Sequence, residues 1–236
     1  MESQNLTLGQ YFLNAADQYG DEDVLIFPNH RHTYESLRIA AISRGCSFSA
    51  SGVGPGDHVG LLMANCPEFI ECLLGLQLLG AVAVPMNARY KAQELAYVLD
   101  NADIKWVVTH DLVSEYANFG DLLLEAVTTK APERLEGLVM LGNPREGFVG
   151  QSEFEALAES VPQAEMLAAH SEISVMSPAI MMYTSGTTAH PKGCPLHHEM
   201  LVQNGINMNR SRYFLSKADR FWAPLPMSHM ASNLPL

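Results

Sequence analysis

The amino-acid sequence predicts an α/β fold with mostly parallel sheets flanked by helices. Short apolar runs, which suit buried strands, alternate along the chain with longer segments of helical periodicity. Strands and helices that alternate in this way favour a parallel sheet covered on both faces. Apolar residues make up 47% of the 236 residues, which is enough for a sizeable core in one large domain or two small ones.

The alternation is most regular over the first 141 residues. Thr7 is placed to cap a first helix that stops at Gly20, and Thr33 to cap a second. Pro67 suits the first position of a third helix, which runs to about Gly80. The other predicted helices are Lys91 to Asp100 and, less regularly, Val113 to Thr128. The predicted strands are Val24 to Phe27, His58 to Met63, Ala81 to Val84, Ile104 to Thr109 and Leu138 to Leu141.

The remainder of the chain divides into two parts. Gly, Pro, Ser and Glu interrupt the region from 142 to 178, which predicts a variable connection with a short helix at Phe154 to Ala158. After it we expect a strand from Ala179, a helix from His197 to Arg210 and a strand from Asp219 to Ala223. The predicted organisation is therefore a first α/β subdomain over about 1–141, the connection over 142–178 and a loop-bearing region over 179–236.

Composition excludes several classes of protein. A formal net charge of −12 disfavours a general nucleic-acid binder. No Cys-x-x-Cys pair occurs among Cys46, Cys66, Cys72 and Cys194, which we interpret as mostly buried, reduced thiols of a cytoplasmic protein. The first five residues lack the basic and apolar regions of a signal peptide. The longest apolar stretch, Cys72 to Met86, is too short to span a bilayer.

The clearest chemical pattern lies between Tyr183 and Gly193, where an apolar strand ends in a loop rich in small polar residues. Glycines at 186 and 193 let a backbone turn sharply and approach a ligand closely. Lys192 adds a cation on a flexible stem, and the hydroxyl donors are Thr184, Ser185, Thr187 and Thr188. Together these groups predict a site for a polyphosphate.

Two other interpretations of this loop are weaker. A P-loop requires a second glycine before its lysine and a Ser or Thr after it, whereas this chain has Pro191 before Lys192 and Gly193 after it. An ordinary surface turn would rarely combine four hydroxyls, two glycines and Pro-Lys-Gly directly behind an apolar strand.

The segment Tyr183-Thr184-Ser185-Gly186-Thr187-Thr188-Ala189-His190-Pro191-Lys192-Gly193 resembles the phosphate-binding signature of the adenylate-forming enzymes, which include acyl-CoA synthetases. The family usually has glycine at the position of Ala189 and threonine at that of His197, which is followed here by the expected His198. We expect both histidines to make local contacts at a helix start, because a metal role lacks a third ligand.

Other stretches extend the resemblance over nearly the whole chain. The segments 52–61 and 65–87 resemble the family's early strand, helix and strand, although they are also ordinary packing motifs. Pro224-Leu225-Pro226-Met227-Ser228-His229 resembles the family's second core motif, near the carboxylate substrate. His229 is thus a candidate for the acyl pocket; the alternative is a partly buried histidine with one hydrogen bond.

The resemblance implies an acyl-CoA synthetase that acts in fatty acid metabolism. A carboxylic acid would attack ATP to give acyl-AMP and pyrophosphate, and coenzyme A would then take the acyl group, with Mg²⁺ as the metal. The implied catalytic residues are Lys192 and His229. The implied ATP-binding residues are Thr184, Ser185, Gly186, Thr187, Thr188, Lys192 and Gly193.

The family's later motifs have no match in this chain. They supply a magnesium-binding glutamate, a ribose-binding aspartate and a mobile C-terminal domain. We therefore expect a truncated N-terminal portion, inactive alone, whose uncovered apolar surface could drive formation of a homodimer. Three alternatives stay open: a non-catalytic nucleotide-binding or dimerisation module, an amino-acid or aryl-acid adenylation enzyme, and a nucleoside triphosphatase.

Overall fold

A computed structural model describes residues 6–184 and 190–229. The helices are α1 (Leu8–Tyr19), α2 (Tyr34–Ala50), α3 (Pro67–Leu79), α4 (Ala92–Asn101), α5 (Phe119–Thr129), α6 (Gln151–Ala156), α7 (Gln163–His170) and α8 (His198–Met208). The strands are β1 (Asp23–Phe27), β2 (His30–Thr33), β3 (His58–Leu62), β4 (Val82–Pro85), β5 (Ile104–His110), β6 (Gly137–Leu141), β7 (Val149–Gly150), β8 (Pro178–Thr184) and β9 (Lys192–His197). A 3₁₀ turn (Leu157–Ser160) follows α6, and a π turn (Asn209–Tyr213) follows α8.

The main sheet has seven strands in the order β7-β6-β5-β3-β4-β8-β9. Every neighbouring pair is parallel except β8 and β9, which form an antiparallel hairpin. The first two strands form a separate antiparallel hairpin. Because parallel strands end at the same edge, the loops after β3, β4, β5 and β8 share one edge of the sheet. The predicted α/β class is confirmed.

The predicted starts of the first three helices are confirmed in atomic detail. The Thr7 hydroxyl accepts a hydrogen bond from the Gln10 N–H at 3.1 Å and caps α1. Thr33 and Ser36 form a reciprocal capping box at the start of α2. The third helix begins at Pro67, as predicted, and ends at Gly80, whose φ of 79° is in the left-handed region that favours glycine.

Helices α2 and α3 pack closely and form the centre of the larger core. An added Cβ on Gly75 of α3 would lie 2.8 Å from the Ala41 carbonyl oxygen of α2, so only glycine permits this approach. Both Phe48 of α2 and Phe69 of α3 are fully buried.

The region from 142 to 178 contains more regular structure than the sequence predicted. It forms β7, α6 and α7 as well as the 3₁₀ turn, instead of one short helix. Phe154 is fully buried with its ring edge toward Phe48, at 5.1 Å between centroids, and Met166 of α7 is also buried. Each helix packs on the core through only a few apolar residues in a mostly polar segment. Its hydrophobic periodicity is therefore too weak to predict a helix.

Several other local predictions were wrong. Residues 219–223 form no strand. Trp222, which lies among them, is 83% exposed, so this aromatic residue does not mark the buried face of a strand. The fifth helix begins at Phe119 rather than Val113, because Asn118 caps it by accepting from the Asp121 N–H. Neither β2 nor β9 was expected.

Of the four cysteines, Cys194 is exposed, whereas the other three are buried as predicted. Across the described ranges, no helix combines the length and apolar character needed to cross a membrane.

Candidate functional site

The hairpin of β8 and β9 carries the predicted polyphosphate loop at the shared edge of the sheet. Tyr183 pairs with Gly193, and Thr184 pairs with Lys192, so the last residue of one strand faces the first residue of the next. The predicted residues Ser185, Gly186, Thr187 and Thr188, together with Ala189, lie outside the described residues. The hairpin therefore brings together Thr184, Lys192 and Gly193 at the two ends of the turn.

Both ends of this turn are held by α4. The Tyr183 hydroxyl donates a hydrogen bond to Asn101 Oδ1 at 2.7 Å. The His190 ring stacks on Tyr97, with centroids 4.5 Å apart and planes at 15°. Burial raises the pKa of Tyr183, so this phenol remains a protonated donor at neutral pH. Tyr183 and His190 are thus held by two side chains one helical turn apart on the same face of α4.

Charge at the hairpin favours an anion. Lys192 is exposed at the start of β9, and residues 184–193 contain no aspartate or glutamate. An ammonium and a hydroxyl group suit phosphate oxygens, whereas a magnesium ion requires oxygen ligands and is repelled by a lysine. Residues 184–193 therefore offer no carboxylate ligand for Mg²⁺.

The segment that contains His229 is fixed to the same edge by Asn65, which follows β3. The Asn65 side chain donates to the Leu225 carbonyl at 2.9 Å and accepts from the Met227 N–H at 2.8 Å. Met227 also packs against the larger core. His229 is exposed, and its N–H donates to the Pro226 carbonyl at 2.8 Å. One strand, β4, separates β3 from β8, so the two strand ends lie about 10 Å apart.

His198, the first residue of α8, does not behave as predicted. His198 is fully buried, and its Nδ1 accepts from the Leu8 N–H at 3.2 Å, which joins α8 to the start of α1. This is a contact between distant parts of the chain rather than a local one. Burial lowers the pKa of His198 to about 4, with smaller contributions from His170 and His197.

A second buried histidine, His170, completes this junction. Its Nδ1 donates to the Leu78 carbonyl at 3.1 Å, so its Nε2 accepts from the Thr7 hydroxyl at 3.0 Å. Burial lowers the pKa of His170 as well. Both rings are therefore neutral structural groups that hold the N-terminal helix against α3, α7 and α8.

Sequence reasoning missed Asn65, Tyr97 and Asn101. The last two are spaced i, i+4, which places them on one face of a predicted helix, but nothing in the local pattern indicates their partners. Asn65 lies two residues before Pro67, and the local sequence there indicates only the start of a helix. Its role becomes visible only when the segment around Met227 folds back to β3.

This chain is similar to known proteins in both sequence and structure. The family model described as "AMP-binding enzyme" matches residues 12–235. The crotonobetaine/carnitine–CoA ligase of Proteus mirabilis is 32% identical, over 81% of this chain and 36% of its own length. The acyl-CoA ligase sidI of Aspergillus fumigatus is 28% identical, over 95% of this chain and 39% of its own.

Among solved structures, the inhibitor-bound N-terminal domain of FACL13 from Mycobacterium tuberculosis superposes with a TM-score of 0.75 and 26% identity. The match covers 96% of this chain and 52% of that one. The chain thus spans less than half the length of the two ligases named above. Since the family model covers nearly all of its residues and the fold agrees, this chain belongs to the AMP-binding enzyme family.

Proposed function

We propose that this chain provides the pyrophosphate-binding part of an acyl-CoA synthetase, which activates a carboxylic acid with ATP and transfers the acyl group to coenzyme A. The observation that carries the proposal is the pairing of Thr184 with Lys192 across the turn at the carboxyl edge of the sheet. Membership of the family supports it, as do the names of the two ligases among the relatives.

The chemical difficulty of the first step is that one anion must attack another. Lys192 would sit beside the β- and γ-phosphates and reduce their negative charge, while Thr184 and the amides of the turn donate hydrogen bonds. No residue has to form a covalent bond with the substrate. The gain in rate would come from positioning and from stabilisation of charge on the leaving pyrophosphate.

Magnesium would arrive on the phosphates of ATP, since residues 184–193 offer it no carboxylate. When bound, it would neutralise further phosphate charge. His229, on the segment held by Asn65, would lie beside the carboxylate substrate. The substrate would be a carboxylic acid, and the reaction would take place in the cytoplasm as part of fatty acid metabolism.

We further propose that the chain alone binds ATP without completing the reaction, because its ligase relatives use more than twice its length. Isothermal titration calorimetry with ATP tests the binding step. Lys192→Met should weaken ATP affinity by at least about tenfold, since it removes a charged hydrogen-bond donor. Lys217→Met is the matched control, because Lys217 pairs with Glu22 near the end of α1, away from the hairpin.

Equal ATP affinity in the wild type and the Lys192 variant would contradict the proposed binding mode. A separate assay measures exchange of labelled pyrophosphate into ATP with a series of carboxylic acids. Exchange catalysed by this polypeptide alone would overturn the claim that further residues are needed, without affecting the role of Lys192.

A further inference from the structure

Three potential metal ligands converge on the side of the fold that carries the β1–β2 hairpin. His30 and His32 lie two residues apart on β2, and Glu71 lies on α3. His32 Nε2 is 3.0 Å from His30 Nε2 and 3.0 Å from Glu71 Oε1. One ligand atom from each residue lies within 4.8 Å of the other two, and within residues 6–184 and 190–229 this is the single cluster of its kind.

Both ring nitrogens of His32 have polar partners. The Ser36 hydroxyl donates its one proton to the Thr33 carbonyl at 3.2 Å and accepts from the Thr33 N–H. The same hydroxyl lies 3.0 Å from His32 Nδ1 and holds the orientation of the ring. With its hydrogen on Nδ1, the neutral imidazole has its lone pair on Nε2, which is the form that binds a metal ion.

Nε2 of His32 faces two further potential metal ligands. It lies 3.0 Å from a Glu71 carboxylate oxygen and at the same distance from the His30 nitrogen. A proton on His32 Nε2 would satisfy one of these two contacts. A divalent cation between the three atoms would satisfy all of them, and a hydrogen-bonded Nδ1–H is the usual support of a ligating histidine.

The surroundings of Glu71 prepare its carboxylate for this role. Arg44 binds the other carboxylate oxygen, Oε2, through Nε and Nη2 at 3.2 Å each. This interaction fixes the carboxylate and leaves Oε1 directed at the histidines. Arg44 is itself neutralised by Glu155, 3.0 Å from its Nη1. The two carboxylates and one guanidinium sum to one negative charge, which is compatible with an added divalent cation.

We propose that His30, His32 and Glu71 form a Zn²⁺ site. Two imidazoles and a carboxylate are a zinc ligand set that leaves a fourth position for water. Bond lengths of about 2.0–2.2 Å in tetrahedral geometry place ligand atoms about 3.3 Å apart, close to the two observed separations of 3.0 Å. The exposed side chain of His30 faces solvent and provides the route of entry.

The zinc ion would tie the two-stranded hairpin to the core. Two of its ligands lie on β2 and the third on the buried helix α3, whose position is fixed by its packing on α2. Binding would therefore stabilise the hairpin against local opening. This site lies on elements other than the β8–β9 hairpin and does not depend on the proposed reaction.

The test uses the 236-residue chain, without a histidine tag, and the metals Zn²⁺ and Co²⁺ alone. We expect binding of one equivalent of Zn²⁺ by calorimetry, and visible absorption bands of tetrahedral Co²⁺ that added Zn²⁺ abolishes. His30→Ala should weaken Zn²⁺ affinity by at least about tenfold, since even outer-shell partners contribute that much. His30 is exposed, so its removal should leave the fold intact.

Arg31→Ala is the matched control, because it alters the same strand and its exposed ion pair with Asp23 without removing a ligand. Zn²⁺ should also slow hydrogen exchange of the amides in residues 23–33 in the wild type but not in the His30 variant. The proposal is overturned by equal Zn²⁺ affinity in the wild type and the His30 variant, by equal losses in both variants, or by an octahedral Co²⁺ spectrum.

Discussion

The ring of Tyr183 lies against the position that a side chain on Gly193 would take. These residues are cross-strand partners at the neck of the β8–β9 hairpin. A Cβ on residue 193 would be 3.1 Å from Met181 Sδ, 3.2 Å from Tyr183 Cζ and 3.3 Å from its hydroxyl oxygen. The hydroxyl is held by Asn101, so the ring is not free to move aside.

Gly193→Ala should therefore destabilise the fold by about 1–3 kcal/mol, the usual cost of overpacking at a tight contact. Chemical denaturation measures this loss. Gly54→Ala is a suitable control, since its added Cβ would meet only Asp57 Oδ2, at 3.9 Å. Equal stability of the two variants would show that the Tyr183 ring moves aside without lowering the free energy of unfolding.

Stacking of His190 on Tyr97 should order the turn before a ligand arrives. A pair of stacked rings contributes about 0.5–1.5 kcal/mol beyond its buried area. On the proposed function, Tyr97→Ala should weaken ATP binding by about twofold to tenfold, and Tyr97→Phe should leave it unchanged because the ring remains. Calorimetric titration of the three proteins decides this, and equal loss in both variants would contradict a role for stacking.

The side chain of Asn65 holds the segment that carries His229 through two hydrogen bonds. Asn65→Ala should remove both hydrogen bonds, and Asn65→Asp should keep only the bond from the Met227 N–H, because a carboxylate cannot donate to the Leu225 carbonyl. Each bond contributes about 1 kcal/mol. We expect the Met227 amide to exchange fastest in the alanine variant, at an intermediate rate in the aspartate variant and slowest in the wild type.

The opposite order for the two variants, or no change in either, would show that packing of Met227 on the core holds this segment instead. Asn29→Ala, in the turn between β1 and β2, is a control for the loss of an asparagine elsewhere.

Features set by neighbouring residues were predictable from the sequence, and features set by distant ones were not. Thr7 and Thr33 cap helices through residues three positions away, so the pattern that encodes each cap is local. The Asn65–Met227 bond spans 162 positions. No periodicity or turn signal records such a pairing, because it exists only once the parallel strands place the two segments at one edge.

The same distinction applies to chemistry. Lys192 and Gly193 were identified because hydroxyls, glycines and a lysine concentrate in one short loop. His30 and His32 were overlooked because their third partner, Glu71, is 39 positions from His32. The strand β9 was missed for a different reason. Its residues, Lys-Gly-Cys-Pro-Leu-His, have little intrinsic preference for a strand, and pairing with β8 imposes the conformation.

His198 should make the stability of the fold depend on pH. In the folded chain burial lowers its pKa from 6.5 to about 4, and its Nδ1 is engaged by the Leu8 N–H. Between these two values the unfolded chain binds a proton that the folded chain does not. The free energy of unfolding should therefore fall as the pH is lowered from 6.5 toward 4, by at most about 1.4 kcal/mol per pH unit for this group. Above pH 6.5 this contribution is fully present and constant.

His198→Asn tests this origin, because an asparagine carbonyl can accept from the Leu8 N–H but does not titrate. The variant should be less stable at neutral pH, since the smaller side chain leaves space in a buried position. Its loss of stability between pH 6.5 and pH 4 should be shallower than that of the wild type. His170, with its pKa also lowered by burial, would account for part of the slope that remains. Urea denaturation at several pH values measures both quantities, and parallel curves for the two proteins would show that the slope arises from other groups.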